Sequence, residues 1–432
     1  MKNSSNDRAP SRVAAAVRTQ LSSGVFARGA MSYLVAFAAV SVLSFVFHVI
    51  VSRLLGPDHY GVMGALLGII SLLTVPLGAV QIAVTRAVVD EEERGEPFSV
   101  VRVTWRSFAA GAVAMVVLAA GAPLIDGFLH ISSPIPIILV AVWIPLATVS
   151  AVLQGALIGE YRFRAVAVAT FFGIGVVRLV LGDVLVSAGL GVSGAVAATI
   201  FAQAFTMLSL LYSARHELLG QRHAAVVTTR LRDTVLSVAG LAGYTTLIGI
   251  DTFLAQHFFP TAAAGKYAAV AVAAHIAFFI PAALVTVAFP HLADGKGVSE
   301  SSRRIFNQTL RTSIILGVGA AVVMSLLPSL TVRLLFSAKY AGAAGILGQL
   351  SFASVAIGLL ILFTYLHLAR RSIMALTPWL GVALAVVLIA IFHHSNESVA
   401  FIMLIVSVAT MVVAGIPALR WEVQTAHDVE SS

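Results

Sequence analysis

The chain of 432 residues is 59% hydrophobic and 11% charged, with 27 Lys and Arg against 19 Asp and Glu for a formal net charge of +8, and it has no cysteine. So little charge excludes an ordinary soluble domain, in which roughly a quarter of the residues are charged. The missing thiols exclude disulfides and haem-thiolate or zinc-thiolate chemistry.

An α-helix needs about 20 apolar residues to cross roughly 30 Å of hydrocarbon. The chain holds runs of that kind near 29–51, 60–85, 107–126, 135–158, 165–187, 192–213, 234–257, 264–290, 312–335, 341–367, 372–392 and 398–418. The expected fold class is therefore an all-α integral membrane protein with about twelve transmembrane helices. Residues 1–28 carry Lys2, Arg8, Arg12, Arg18 and Arg28 but no apolar core with a small-residue cleavage site. They read as a basic cytoplasmic tail and not a removable signal. Residues 29–214 form one expected lobe and 234–419 another, with 215–233 as a cytoplasmic linker and 420–432 as a second tail.

The first span closes on Ser52 and Arg53 before the turn Gly56-Pro57-Asp58, where glycine tolerates the tight backbone and proline cannot continue the helix. Pro76 falls inside the second span and Pro281 inside the eighth, which makes both candidate gating hinges. The acidic run Asp90 to Glu96 reads as a solvated loop. Gly189, Gly191 and Gly194 spell G-x-G-x-x-G, but they sit between two apolar spans with no strand before them, so no dinucleotide site is expected there.

The stretch 51–90 has an echo at 255–294. Gly61 matches Gly265, Pro76 matches Pro281 and Asp90 matches Asp294, an offset of about 204 residues, and Pro123 and Pro328 keep it. A constant offset predicts two pseudo-symmetric six-helix lobes in the same orientation, with a cleft between them.

Basic residues collect on the side from which they are not translocated. Of the 27 Lys and Arg, only Arg53, Lys266, Arg333 and Lys339 fall in the opposite segments, while Arg178 lies within a span. Both termini are thus expected in the cytoplasm. Anionic membrane headgroups, and not nucleic acid, are the expected counter-charge for the basic balance.

Ionisable groups inside hydrocarbon are functional candidates by default. Arg178 in the fifth span and Asp251 in the seventh qualify, the arginine as a cleft residue available to a diphosphate and the aspartate as its resting partner, with a purely structural pair as the alternative. Asp183, five residues past Arg178, points to another face and reads as a boundary residue. Arg53 and Arg86 would mark the two mouths of a cationic path, Arg86 equally well an ordinary membrane anchor. His48, His257, His275, His291 and His367 lack metal-site spacing and read as hydrogen-bonded core or interface groups, His48 also as a cavity candidate. No catalytic constellation, metal or cofactor site emerges, so the chain is not expected to be an enzyme.

Ser52-Arg53-Leu54-Leu55-Gly56-Pro57-Asp58-His59-Tyr60-Gly61, followed by Pro76-Leu77-Gly78 and Thr85-Arg86, resembles the opening helix pair of bacterial polysaccharide-export flippases in the MATE-like multidrug/oligosaccharidyl-lipid/polysaccharide exporter superfamily. Asp251-Thr252-Phe253-Leu254, Gly265-Lys266-Tyr267 and Phe279-Ile280-Pro281 resemble its seventh and eighth helices, and Gly191-Val192-Ser193-Gly194-Ala195 the start of its sixth. The resemblance implies alternating access and movement of a polyprenyl-diphosphate-linked oligosaccharide across the bacterial cytoplasmic membrane, with no cofactor. It places Arg53 and Arg86 at basic sites near the cavity, although the partner position of Arg86 holds Pro290 or His291. Membrane lipids, the lipid-linked substrate, and glycosyltransferases or a polymerase of the same pathway are the implied partners of a monomer. A cation-coupled multidrug exporter using Asp251 is the alternative on the same fold, and a membrane glycan polymerase or ligase is disfavoured by the short outer loops.

Overall fold

A computed structural model describes residues 24–94, 99–131, 133–215, 231–292 and 300–430. Most of the basic tail, the loop at Gly95 and Glu96 and the centre of the expected linker lie outside the described residues, as does the side chain of His291. The described chain is helical, without a strand: α1 (Gly24–Leu55), α2 (Pro57–Arg94), α3 (Val100–Leu129), α4 (Ile135–Gly159), α5 (Phe163–Thr170), α6 (Arg178–Leu185), α7 (Gly191–Ser213), α8 (Leu231–Phe258), α9 (Thr261–Leu292), α10 (Glu300–Leu326), α11 (Pro328–Leu335), α12 (Leu347–Ala369), α13 (Thr377–Phe392) and α14 (Asn396–Glu430).

Eleven helical stretches among the described residues are long and apolar enough to cross a membrane. One of them, Phe163–Ser213, covers two expected spans, because the chain doubles back where Gly189 and Gly191 take φ of 88° and 54°. That conformation is open to glycine and strained for other residues, so the G-x-G-x-x-G spacing serves a hairpin between helices. Arg162 at the start of α5 donates to the Ser213 carbonyl at the end of α7 (2.6 Å), which closes the same hairpin at its other end.

The duplication is visible in the packing. In the first half α4 lies against α2, α3 and α7, and in the second α12 lies against α9, α10 and α14. Likewise α1 packs on α5 as α8 packs on α13. The halves meet mainly where α2 crosses α8 and α9.

The expected turn stands: Gly56, at φ 71°, ends α1, and α2 starts on Pro57. Both α2 and α9 run unbroken through their prolines, in different surroundings. Pro76 is exposed, whereas Pro281 is buried against Gly317 and Gly358, 3.4 and 3.0 Å from where their Cβ atoms would stand.

The seam between the halves is a wedge. A Cβ on Gly265 would overlap the Pro57 carbonyl oxygen, and one on Gly61 would lie 2.9 Å from the Gly265 nitrogen. One helical turn on, a Cβ at Gly64 would meet Thr252 and Ala268 at 3.2 and 3.3 Å. A further turn on, Gly249 clears Gly68 at 4.0 Å. Small residues let backbones touch in a bilayer, and here the repeat-related glycines Gly61 and Gly265 touch each other. Arg86 lies 25 residues from Gly61, about 20° away round the helix, and it is exposed, as are Leu72 and Ile82 on the same side. The face of α2 that is sealed at the Gly56 end is thus exposed at the end carrying Arg86.

Candidate functional site

Arg178 reaches the interior on an irregular helix. The seven residues Phe171–Val177 form a π-helical stretch that delivers the chain to α6, a geometry that is frequent at functional sites. Gly175, Arg178 and Gly182 follow at helical spacing and share the face toward α1. Cβ atoms on the two glycines would come within 2.9 Å of Leu43 and 3.0 Å of Phe47. Only glycines bring this helix so close, and the arginine between them lies flat on α1. Its guanidinium carbon is 4.2 Å from the centre of the Phe47 ring. The Nε atom is buried without a hydrogen-bond partner, and among the described residues the side chain has no ion pair.

Around it stands a set of rings from both halves. His48 Nδ1 lies 2.9 Å from the hydroxyl of the fully buried Tyr60. Tyr60 packs edge-on against Tyr340 of the second half, and Tyr340 donates to the Ser52 carbonyl at 2.6 Å. His48, Tyr60 and Tyr340 thus sit where the halves meet, near the sealed end, and Arg178 packs on Phe47, the residue before His48.

Asp251 does not pair with Arg178, contrary to the sequence expectation. Its carboxylate, 4% exposed, accepts 2.8 Å hydrogen bonds from the Tyr267 hydroxyl on α9 and from the Thr252 backbone N–H. A buried carboxylate needs donors, and a neighbouring tyrosine supplies one without a second buried charge. Among the described residues, cation and anion thus each lack an ion-pair partner, in opposite halves. Asp251 occupies the repeat position of Phe47, 204 residues on, so the first half is aromatic where the second is acidic.

Arg53 does not line a cationic path either. Its guanidinium donates to the carbonyls of Leu335 (2.9 Å) and Leu334 at the end of α11. A helix C-terminus leaves four carbonyls unpaired and carries partial negative charge, and the arginine satisfies two. The repeat-related corner does the same with different chemistry: Gln256 donates to Leu129 O (3.2 Å), and His257 Nδ1 meets Phe128 O at 2.7 Å with its ring stacked on Phe128, 3.9 Å between centroids. Each half clasps a helix end of the other. Arg53→Ala is expected to loosen this clasp by about 1 kcal/mol, raising roughly fivefold the rate at which a maleimide labels a cysteine placed at the buried Ser52, in a chain with no cysteine of its own. An unchanged rate would show that the clasp does not hold the seam.

Arg86 is exposed on the open side of the seam, and Asp183 is exposed on α6. His367 lies 2.9 Å from the Ala414 carbonyl, as expected of a core histidine. Tyr60 and Tyr267 were visible only as parts of motifs and Tyr340 not at all, since a tyrosine signals its polar role only when its hydroxyl finds a partner on another helix.

Residues 50–345 match the family model described as polysaccharide biosynthesis protein. No curated protein matches the sequence. Among solved structures, the chain is similar to the lipid II flippase MurJ in an inward closed conformation, with 12% identity, coverage of 89% of this chain and 87% of that one, and a TM-score of 0.71. A multidrug resistance MATE family transporter of the MOP superfamily, facing inward, gives 14% identity, 91% and 96% coverage and 0.67. A MOP superfamily transporter from Pyrococcus furiosus gives 13%, 90% and 93%, and 0.57. At such identities these likenesses describe the fold, which is that of MOP-superfamily transporters and flippases.

Proposed function

The chain belongs to the polysaccharide biosynthesis protein family, and from that premise we propose that it is a flippase carrying a polyprenyl-diphosphate-linked oligosaccharide across the bacterial cytoplasmic membrane. A glycan headgroup cannot enter hydrocarbon, but a cleft between two helical lobes can carry it while the tail stays in lipid. The basic end faces the cytoplasm in this reading, as the distribution of Lys and Arg favours, so the present state opens toward the leaflet where such precursors are assembled. Both termini and the linker of residues 215–233 then lie inside.

The observation that carries the proposal is Arg178. An intramembrane guanidinium with a buried, unpartnered Nε and no carboxylate partner among the described residues is costly to keep, and its fork matches two oxygens of a phosphate. The diphosphate enters past Arg86, settles between Arg178, His48 and Tyr60, and leaves once the clasps at Arg53 and Gln256 release. Pro76 and Pro281 lie on the helices that must tilt. Purified protein in liposomes should move a fluorescent polyprenyl-diphosphate oligosaccharide to the lectin-accessible leaflet and leave a neutral lipid-linked glycan in place. Equal movement of both would remove the diphosphate from the reading.

One observation favours a second reading. The unpaired buried carboxylate of Asp251 suits a proton or sodium site in a cation-coupled exporter. Asp251→Asn should keep lipid-linked flipping within about threefold, because the amide oxygen can still accept from the Thr252 N–H while the amide N–H donates to the Tyr267 hydroxyl. Ion-driven efflux of cationic dyes that disappears in this variant, in a protein that moves no glycolipid, would establish the exporter instead.

A further inference from the structure

Away from the seam, α5 and α7 enclose a groove of about 690 Å3 at the basic end of the first half. One wall is apolar and turned outward from the bundle, with Val168, Phe205, Leu208 and the Tyr212 ring all exposed. Its polar end is cationic. Arg164 lines it, is exposed and has no partner among the described residues. Arg215 packs on Tyr212, which lines the groove, its guanidinium 4.1 Å from the ring centre and its Nη1 3.1 Å from the Tyr212 carbonyl. Arg162, by contrast, is committed to Ser213 and Glu160. No acidic side chain lines the groove, while Ser209 and Ser213 do, the Ser213 hydroxyl donating to the Ser209 carbonyl.

We propose that this groove is a binding site for an anionic phospholipid of the leaflet at the basic end, its phosphate on Arg164 and Arg215 and its acyl chains along Val168, Phe205 and Leu208. The complementarity is of two kinds at once. Arginine and hydroxyl groups pair with phosphate oxygens, and anionic lipids are the counter-charge available beside juxtamembrane arginines. A soluble anion would leave the apolar wall bare, and a packed protein helix would cover the wall while burying Arg164 without a counter-charge. The site is independent of what the cleft carries.

The test uses the full chain purified in mild detergent with defined lipids. Native mass spectrometry should find phosphatidylglycerol retained about tenfold over phosphatidylcholine. The double variant Arg164→Ala/Arg215→Ala should lose that preference, and Arg164→Lys/Arg215→Lys should recover most of it. A photoreactive phosphatidylglycerol should label peptides from 163–170 and 205–213 in the wild type, a readout that stands even if the alanine variant does not fold. Equal retention of both lipids, an unchanged preference in the double variant, or labelling confined to other helices would overturn the site. Protection of the groove by inorganic phosphate as effective as that by the lipid would assign it to a soluble anion and overturn it as well.

Discussion

Arg178→Ala is expected to reduce translocation of a polyprenyl-diphosphate substrate by one to two orders of magnitude while the protein stays folded. The size follows from the loss of a charge-assisted contact in a desolvated site, about 1.5–3 kcal/mol, which is roughly ten- to a hundredfold. Stability should change little. The side chain gives up its packing on Phe47, worth about 0.5–2 kcal/mol as a cation–π contact, but its removal also relieves an intramembrane charge with no ion pair among the described residues. Arg178→Lys keeps the charge and loses the planar fork, so its flipping should fall between those of alanine and wild type. Melting curves and proteoliposome flipping on the same preparations decide the matter. Full transport with a lowered melting temperature would make Arg178 a structural residue and leave the cleft without its anion site.

The second large effect is expected at the wedge. A side chain at Gly265 runs into the backbone of Pro57, which cannot rotate aside, so Gly265→Val must force α2 and α9 apart. Overpacking of this kind costs about 1–3 kcal/mol, enough to move a two-state seam ten- to a hundredfold toward the state with the Gly56 end open. Gly61 should be more tolerant, because a Cβ there first meets the movable end of Gln256 and lies 2.9 Å from the Gly265 nitrogen instead of overlapping backbone, and Gly78, with nothing within 4 Å, should be neutral. A cysteine at Ser52, buried beneath the seam, reports the difference as a labelling rate in the order Gly265→Val, Gly61→Val, Gly78→Val. Equal rates in the three variants would mean that the glycine crossing is not what keeps that end shut.

Much of the fold was legible because a bilayer admits few solutions. Apolar runs of sufficient length must be helices, and the matched glycines and prolines betrayed the duplication before any contact was known. What the offset could not reveal is that Gly61 and Gly265 meet, since a repeat in sequence carries no information on where the axis relating its copies passes. The site was legible in part. Arg178 and Asp251 stood out as charges among apolar neighbours, yet their pairing was inferred from charge alone and was wrong. The partner of Asp251 is a hydroxyl sixteen residues away on the next helix, and tyrosine is too common at membrane boundaries to be noticed in that role. Arg53 was misassigned for a related reason: the carbonyls that attract it belong to a helix end some 280 residues later in the chain, and backbone acceptors leave no mark in an amino-acid sequence. The π-helical stretch before Arg178 is equally silent, since its residues Phe171–Val177 are ordinary membrane residues.

The two clasps at the sealed end of the wedge differ in makeup: Arg53 on one side, Gln256 with His257 on the other. In a symmetric dimer of identical chains, any change at such a corner is copied to its twin, so both would strengthen or weaken together. Covalent fusion removes that constraint. Each corner is inherited separately, and selection can stiffen one hinge line without touching the other. A single-chain protein of this kind can open by an asymmetric first step, one corner giving way before its counterpart, a route closed to any ancestor built from two equal subunits.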